Sequence, residues 1–331
     1  DNRILIKAEA GRLVSMAQLN PYTFVCRDGK WPVDYIVGVA TDKDSRHQGH
    51  MRSILKKMLE DMNQAHVPFT FLMPADEAIY RPFQFSFIYR QPKFHLTEEA
   101  KERLNCRPCS SREDAAQAAA FMEQWLKERF EAYCLRDEAY VSRLIRELAS
   151  EDGILEFLLE EENGEEKLSG LHAEWGFEKR EQRLLYTKDS LVFRDREQEK
   201  PAIMARVTDV EAFFRMISGA DSGSKTGETD GDREAGQEPD GYLEITDPFL
   251  PACTGSYQIF TDKAGGARAV KMTEGAAEQS GVTLAISIDG LAQWLFGFRP
   301  LQEIAAEEGR QQNPPSVLDR GYPPHRRCIF R

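Results

Sequence analysis

Five consecutive residues, Arg46-His47-Gln48-Gly49-His50, combine basic side chains with a glycine in a way that suits an anion. They sit between an apolar strand, Tyr35 to Ala40, and a helix whose apolar positions Met51, Ile54, Leu55, Met58, Leu59 and Met62 recur at i, i+3, i+4 spacing. The first N–H groups of a helix have no internal partner and lie at the positive end of its dipole, so a phosphate docks there readily. Gly49 lets the backbone approach such a ligand without a Cβ in the way. Neither Gly-x-x-x-x-Gly-Lys-Ser/Thr nor Gly-x-Gly-x-x-Gly occurs, which removes the two commoner phosphate loops. By chemistry alone His47 and His50 are candidate bases, but their loop position reads as surface. Cys106-x-x-Cys109 lacks the second pair that a zinc site needs and the βαβ context of a redox motif, so the six cysteines read as reduced thiols with no metal bound.

Strands are predicted at Ile4 to Ala8 and Leu13 to Leu19 ahead of the loop. Val67 to Met73 follows it as a buried strand, and Phe87 to Phe94 closes the first unit. Residues 110–150 read as helical, with Ser110 or Ser111 as N-cap and Glu113 and Asp114 in the first turn. Ile154 to Glu162 then meets Lys167 to Trp175 across Asn163-Gly164, a hairpin signal, with the acidic run Glu160 to Glu166 as its solvated tip. Lys200 to Phe214 starts a third unit. Gly219 to Gly241 has almost no apolar residues and is expected to be a mobile loop. Strands follow at Tyr242 and Gly255 and over Val282 to Ile288, after which Asp289 is expected to cap a helix. The expected class is α+β.

At 331 residues the chain is long enough for two or three domains. A net charge of −12 with no basic stripe gives nucleic-acid binding no support, while it favours approach of polyamines and other cations. No apolar run reaches the roughly 20 residues that span a bilayer, and no signal-peptide core occurs in the first 20 residues, so no membrane association and a cytoplasmic address are expected.

The Arg-x-x-Gly-x loop after Val37-Gly38-Val39-Ala40 resembles the pyrophosphate loop of GNAT-type N-acetyltransferases, whose last small residue is Met51 here. Ile79-Tyr80-Arg81-Pro82-Phe83-Gln84-Phe85 resembles the "Ile-Tyr-x-x-Phe-Gly-Phe/Tyr" segment of the enhanced-intracellular-survival (Eis) family, with Gln84 in place of the glycine and the turn therefore expected to be altered. Asp247-Pro-Phe-Leu-Pro251 and Gly255-Ser-Tyr257 are similar to the sterol-carrier-like part of that family. The resemblance implies tandem GNAT-like domains plus a sterol-carrier-protein-like domain: 1–98, N-terminally incomplete and binding acetyl-CoA; 99–200, a degenerate copy that binds none; and 201–331, with a flexible loop at 219–241. It implies acetyl-CoA-dependent acetylation of a primary amine, an aminoglycoside, polyamine or lysine-type acceptor, by a homo-oligomer of up to six copies. Val37, Gly38, Val39 and Ala40 would pair with pantetheine, and Arg46, His47, Gln48, Gly49, His50, Met51 and Arg52 would take the pyrophosphate. Tyr80 would be the general acid, and the carboxylate of Arg331, if the chain ends there, the base. The competing reading is a catalytically silent protein that binds acyl-CoA, lipid or a partner; a membrane-surface protein is a weaker third.

Overall fold

The computed structural model describes residues 2–27, 29–177, 180–219, 238–261, 266–273 and 284–307, and the backbone of 328–329. Most of the segment 219–241 and Arg331 lie outside the described residues. The chain divides into two compact units, 1–90 with 201–330, and 91–200.

In chain order the first unit begins with β1 (Arg3–Glu9), β2 (Arg12–Cys26), β3 (Gly29–Thr41), α1 (His50–Gln64), β4 (Phe69–Leu72) and the short α2 (Glu77–Tyr80), and β5 (Ser86–Leu96) leads out of it. The second unit holds α3 (Glu98–Arg103), β6 (Asn105–Pro108), α4 (Arg112–Arg129), β7 (Ala132–Cys134), α5 (Glu138–Ser150), β8 (Ile154–Glu162), β9 (Glu165–Trp175) and β10 (Glu181–Thr187). β11 (Val192–Val207) leads back to α6 (Val210–Ser218), β12 (Gly241–Thr246), β13 (Gly255–Thr261), β14 (Ala267–Lys271), β15 (Leu284–Ser287), α7 (Ile288–Leu295) and α8 (Leu301–Glu307).

In the first unit the strands β2, β3, β4, β11 and β5 lie side by side in that order, with β1 antiparallel to β2. β3 and β4 are parallel, whereas β11 runs antiparallel to β4 from Val207↔Phe69 to Met204↔Leu72. The apolar stripe of α1 is buried, with Leu55, Met58 and Leu59 fully enclosed. At about 1.5–3 kcal/mol for each large side chain, that face rather than helix propensity holds α1 in place. The core also joins the two stretches of chain: Phe24 meets Phe69 at 5.0 Å between centroids, Phe69 meets Phe296 at 5.1 Å, and Phe296 meets Phe213 at 5.3 Å. β14, β13, β12 and β15 form a separate small sheet. The helix after β15 is capped by Ser287, whose hydroxyl accepts the N–H of Gly290 at 3.1 Å; Asp289, the expected cap, lies inside its first turn.

The second unit has its own sheet, β10-β9-β8-β6. The Asn163-Gly164 turn forms as expected, with both residues at positive φ and Glu162 opposite Glu165. The stretch 110–150 that reads as helical is two helices: α4 ends at Arg129 and β7 intervenes before Asp137 caps α5. Glu160 is not part of a solvated tip. It is buried at 9 % exposure and bonded to Ser169, Lys188 and Arg103.

α4 starts with a full capping box between Ser111 and Asp114. The Asp114 carboxyl is held well below the ordinary carboxylate range, chiefly by the Ser111 N–H, with further help from Arg107 and the Ser110 N–H and against the opposing effect of burial. A depressed folded-state value means that its stabilisation is present above the unfolded value of about 3.9 and is lost as pH falls below it. Asp114→Asn should therefore be less stable than wild type at neutral pH by about 1 kcal/mol, with the gap closing below pH ~3.9. Urea titrations of the two proteins across that range check this; a gap that does not change with pH would refute it.

Candidate functional site

The site begins where two strands part. β3 pairs with β4 only at Asp34↔Thr70 and Tyr35↔Phe71, while its other edge stays paired with β2 out to Thr41. The last rung is fastened by Thr70, whose hydroxyl donates to the Asp34 carbonyl at 2.7 Å. The Tyr35 ring stacks on Phe71 at 5.1 Å, and Tyr22 meets both edge-on at 6.0 and 5.8 Å. Beyond Tyr35 the edge of β3 that faced β4 has no strand beside it among the described residues. Unpaired strand backbone is a ready template for an extended ligand.

The register on the other edge jumps from Gln18↔Val37 to Met16↔Ala40, so Ala17 faces two residues, Gly38 and Val39. This β-bulge turns the strand at the point where the ligand edge is free. Gly38 sits at φ +62, and a Cβ there would touch only Gln18 at 3.9 Å. The glycine thus answers the backbone conformation rather than crowding. Val37 and Val39 are half-buried; Gly38 and Ala40 are exposed.

The loop then reaches α1. Arg46, His47, Gln48 and Gly49 are all exposed. Arg46 Nε donates to the Thr41 carbonyl at 3.4 Å, and Gln48 Nε2 to that of Asp44 at 3.3 Å. Gly49 is the N-cap at φ +80 and ψ 10 and supplies no capping side chain. The Ser53 N–H bonds to the Gly49 carbonyl at 3.0 Å, which leaves the N–H groups before it as the orphan donors of the helix start. Met51 is half-buried and Arg52 exposed. His50 departs from the surface reading: it is 4 % exposed, neither ring nitrogen makes a hydrogen bond, and Nδ1 lies 3.5 Å from Glu9 Oε1. A signal existed in the sequence, because positions 50, 54, 58 and 62 form one i+4 row along the buried face.

Tyr80 ends α2, which Asp76 caps by accepting the Ala78 N–H at 2.9 Å. Its side chain is 8 % exposed, and its ring meets Phe85 edge-on at 6.0 Å. Its hydroxyl makes no hydrogen bond among the described residues. Burial, with Tyr35 nearby, pushes the phenol above its ordinary value. In the turn after Tyr80, Gln84 adopts φ +63, and its N–H bonds to the Arg81 carbonyl at 2.9 Å. A glycine would reach that conformation at less cost.

A family model described as an acetyltransferase (GNAT) domain matches residues 1–88, a range that holds the parted strands, the loop, α1 and Tyr80. The chain carries a GNAT acetyltransferase domain. A sterol carrier protein domain model matches residues 227–326. No curated protein matches the chain. Solved structures share the fold of this chain over nearly its whole length. One is a GCN5-related N-acetyltransferase from Kribbella flavida, 16% identical, TM-score 0.69, covering 99% of this chain and 87% of that one. Another is a probable N-acyltransferase of Enterococcus faecalis V583, 15% identical, TM-score 0.68, with the same coverage. A third is Eis1 of Mycobacterium abscessus, 12% identical, TM-score 0.63, covering 96% of this chain and 85% of that one. Among the described residues no helix is long and apolar enough to cross a membrane.

Sequence reasoning missed three contributors. Tyr35 marks the splay, Phe249 lies under the Arg52 guanidinium at 4.8 Å, and Arg206 is bound to the Phe83 carbonyl. The last two are joined to the site only by long-range packing, which no local pattern announces.

Proposed function

We propose that the protein transfers the acetyl group of acetyl-CoA to a primary amine of a small cationic acceptor. The observation that carries this reading is the continuous cradle of free β3 edge, bulge and uncapped helix start, which offers extended backbone and then a cluster of N–H donors in the order that pantetheine and pyrophosphate require. Val37 to Ala40 would pair with pantetheine, and the loop from Arg46 to Arg52 would hold the pyrophosphate, with Arg46 and Arg52 adding charge.

In the reaction the amine lone pair attacks the thioester carbonyl, a C–N bond forms, the C–S bond breaks and the sulfur leaves with the bonding pair. Tyr80 would give its phenolic proton to that sulfur; its place at the end of α2, directly after the strand β4 that parts from β3, supports this role. The amine gives up its proton to bulk water; Arg331, whose carboxylate the resemblance implies as the base, lies outside the described residues. His50 is a poor candidate because both nitrogens are enclosed. The net charge of −12 favours polyamines, aminoglycosides and lysine-type amines over anionic acceptors.

The test is thiol release from acetyl-CoA across a panel of such amines, with thermal melting in parallel. Amine-dependent release and a raised melting temperature with acetyl-CoA are expected. Stabilisation by acetyl-CoA without turnover on any amine would favour the silent binding protein, and no stabilisation at all would overturn both.

A further inference from the structure

Asp247-Pro248-Phe249-Leu250, between β12 and the turn at Pro251–Cys253, touches both halves of the proposed site from the far end of the chain. Arg206 of β11 is wholly buried and uses one Nη to donate to the carbonyl of Phe83, the last residue of the turn that follows Tyr80. Its other Nη donates to Asp247 Oδ2, and both side chains of that ion pair are 0% exposed. Asp247 Oδ1 accepts the N–H groups of Phe249 and Leu250 at 3.0 and 2.9 Å, and its own N–H donates to Thr254 Oγ1 at 2.9 Å. The segment is thereby fixed by one carboxylate. Phe249 packs edge-on against Phe83 at 5.0 Å and lies under the guanidinium of Arg52 at 4.8 Å and that of Arg206 at 5.6 Å.

Stability alone does not account for this arrangement. A buried ion pair gains about what its desolvation costs and is often replaceable by apolar residues. Arg206 also keeps its Nε–H buried without a partner, a further cost. What the pair does supply is a fixed direction, tying the Phe83 carbonyl, and with it the turn carrying Tyr80, to the Phe249 ring. That ring in turn holds the third residue of α1.

We propose that Phe249, held by the Asp247–Arg206 pair, is a positioning residue that sets Tyr80 and Arg52 in register across the site. This rests on the reading of Tyr80 as proton donor and Arg52 as a pyrophosphate contact. The segment 247–250 lies within the stretch that matches a sterol carrier protein domain, so that part of the chain would complete the acetyl-transfer site rather than serve only a separate role.

The test uses Phe249→Met, which keeps volume and loses the ring, and Phe249→Tyr, which keeps the ring, each made in the wild type, in Tyr80→Phe and in Arg52→Ala. Phe249→Met should lower kcat about tenfold in the wild type, as small misplacements of a reacting group do. In Tyr80→Phe it should lower kcat less than about twofold, because a positioning residue has nothing left to position. It should raise the acetyl-CoA Kd about threefold to fivefold in the wild type, the size of a cation–π contact, and leave it unchanged in Arg52→Ala. Phe249→Tyr should restore both. Equal kcat factors in both tyrosine backgrounds, a lowered melting temperature with kcat and Kd unchanged, or no rescue by tyrosine would each overturn the proposal. A wild-type kcat in Tyr80→Phe would instead refute the proton-donor reading on its own. The Kd comparison with Arg52→Ala would then decide for or against Phe249.

Discussion

Tyr80→Phe is expected to lower turnover about 100-fold, the lower end of general-acid contributions, since water partly replaces the donor. The acetyl-CoA Kd should stay within about twofold of wild type, because the hydroxyl makes no hydrogen bond to the described residues of the cradle. Removing a hydrogen-bonded buried hydroxyl ordinarily costs about 1 kcal/mol of stability. Here no protein partner among the described residues is lost, so the melting temperature should hold. The pH profile separates this role from any other. Burial and the neighbouring Tyr35 raise the Tyr80 phenol above its ordinary value, so the proton needed for transfer is retained past pH ~10. The sign for stability agrees: a raised folded-state value favours the native state below the unfolded value and loses that advantage as pH rises through it. The high-pH limb of kcat should thus fall above pH ~10 in the wild type and be absent in the variant. Steady-state kinetics with any accepted amine, an acetyl-CoA titration and a melting curve decide it. Wild-type turnover in the variant would return Tyr80 to a packing role.

The strand, loop and helix of the cradle were legible because each is written locally. A basic run with one glycine, an apolar strand before it and a 3.6-residue period after it leave few alternatives. Asn163-Gly164 was legible for the same reason, since two consecutive positive φ values select those residue types. Local patterns failed where the deciding contact is remote. Nothing around Arg206 announces a partner at Asp247, and the apolar Phe249 looks like any core aromatic until Arg52 is found over its ring. Glu160 reads as one of several exposed acids until Ser169, Lys188 and Arg103 close on it. At Gln84 the sequence shows no glycine, yet the residue holds a left-handed conformation, at a cost on the order of 1 kcal/mol when its surroundings demand it. The helix-start error has a plain cause. Ser287 and Asp289 are both good caps by type, and only the observed bond to Gly290 selects between them.

Gly49→Asp is expected to abolish acetyl-CoA binding at any practical concentration while the fold persists. The space is there: a Cβ at this position meets nothing within 4 Å. The conformation, φ +80, is one that aspartate tolerates better than most residues, so the strain is about 1 kcal/mol. A carboxylate at the start of α1 also suits the helix dipole, which offsets part of that strain by a few tenths to 1 kcal/mol. The effect on the ligand runs the other way. The orphan N–H groups that would receive the pyrophosphate now face a fixed negative charge on their own cap. Two unit charges about 4 Å apart near a protein surface repel by roughly 4 kcal/mol, and each 1.4 kcal/mol is a factor of ten in Kd. A loss of about 1,000-fold follows from one charge pair alone. In the wild type, acetyl-CoA at 100 times its Kd should add about 2.7 kcal/mol to stability, read as a rise in melting temperature. In the variant that rise should vanish while the melting temperature without ligand shifts by only a few degrees. Gly49→Ala separates the causes, because it imposes the backbone strain without the charge and should keep a reduced but measurable shift. If Gly49→Asp retained the full acetyl-CoA shift, the pyrophosphate would have to bind elsewhere, and the assignment of Arg46 to Arg52 would fall with it.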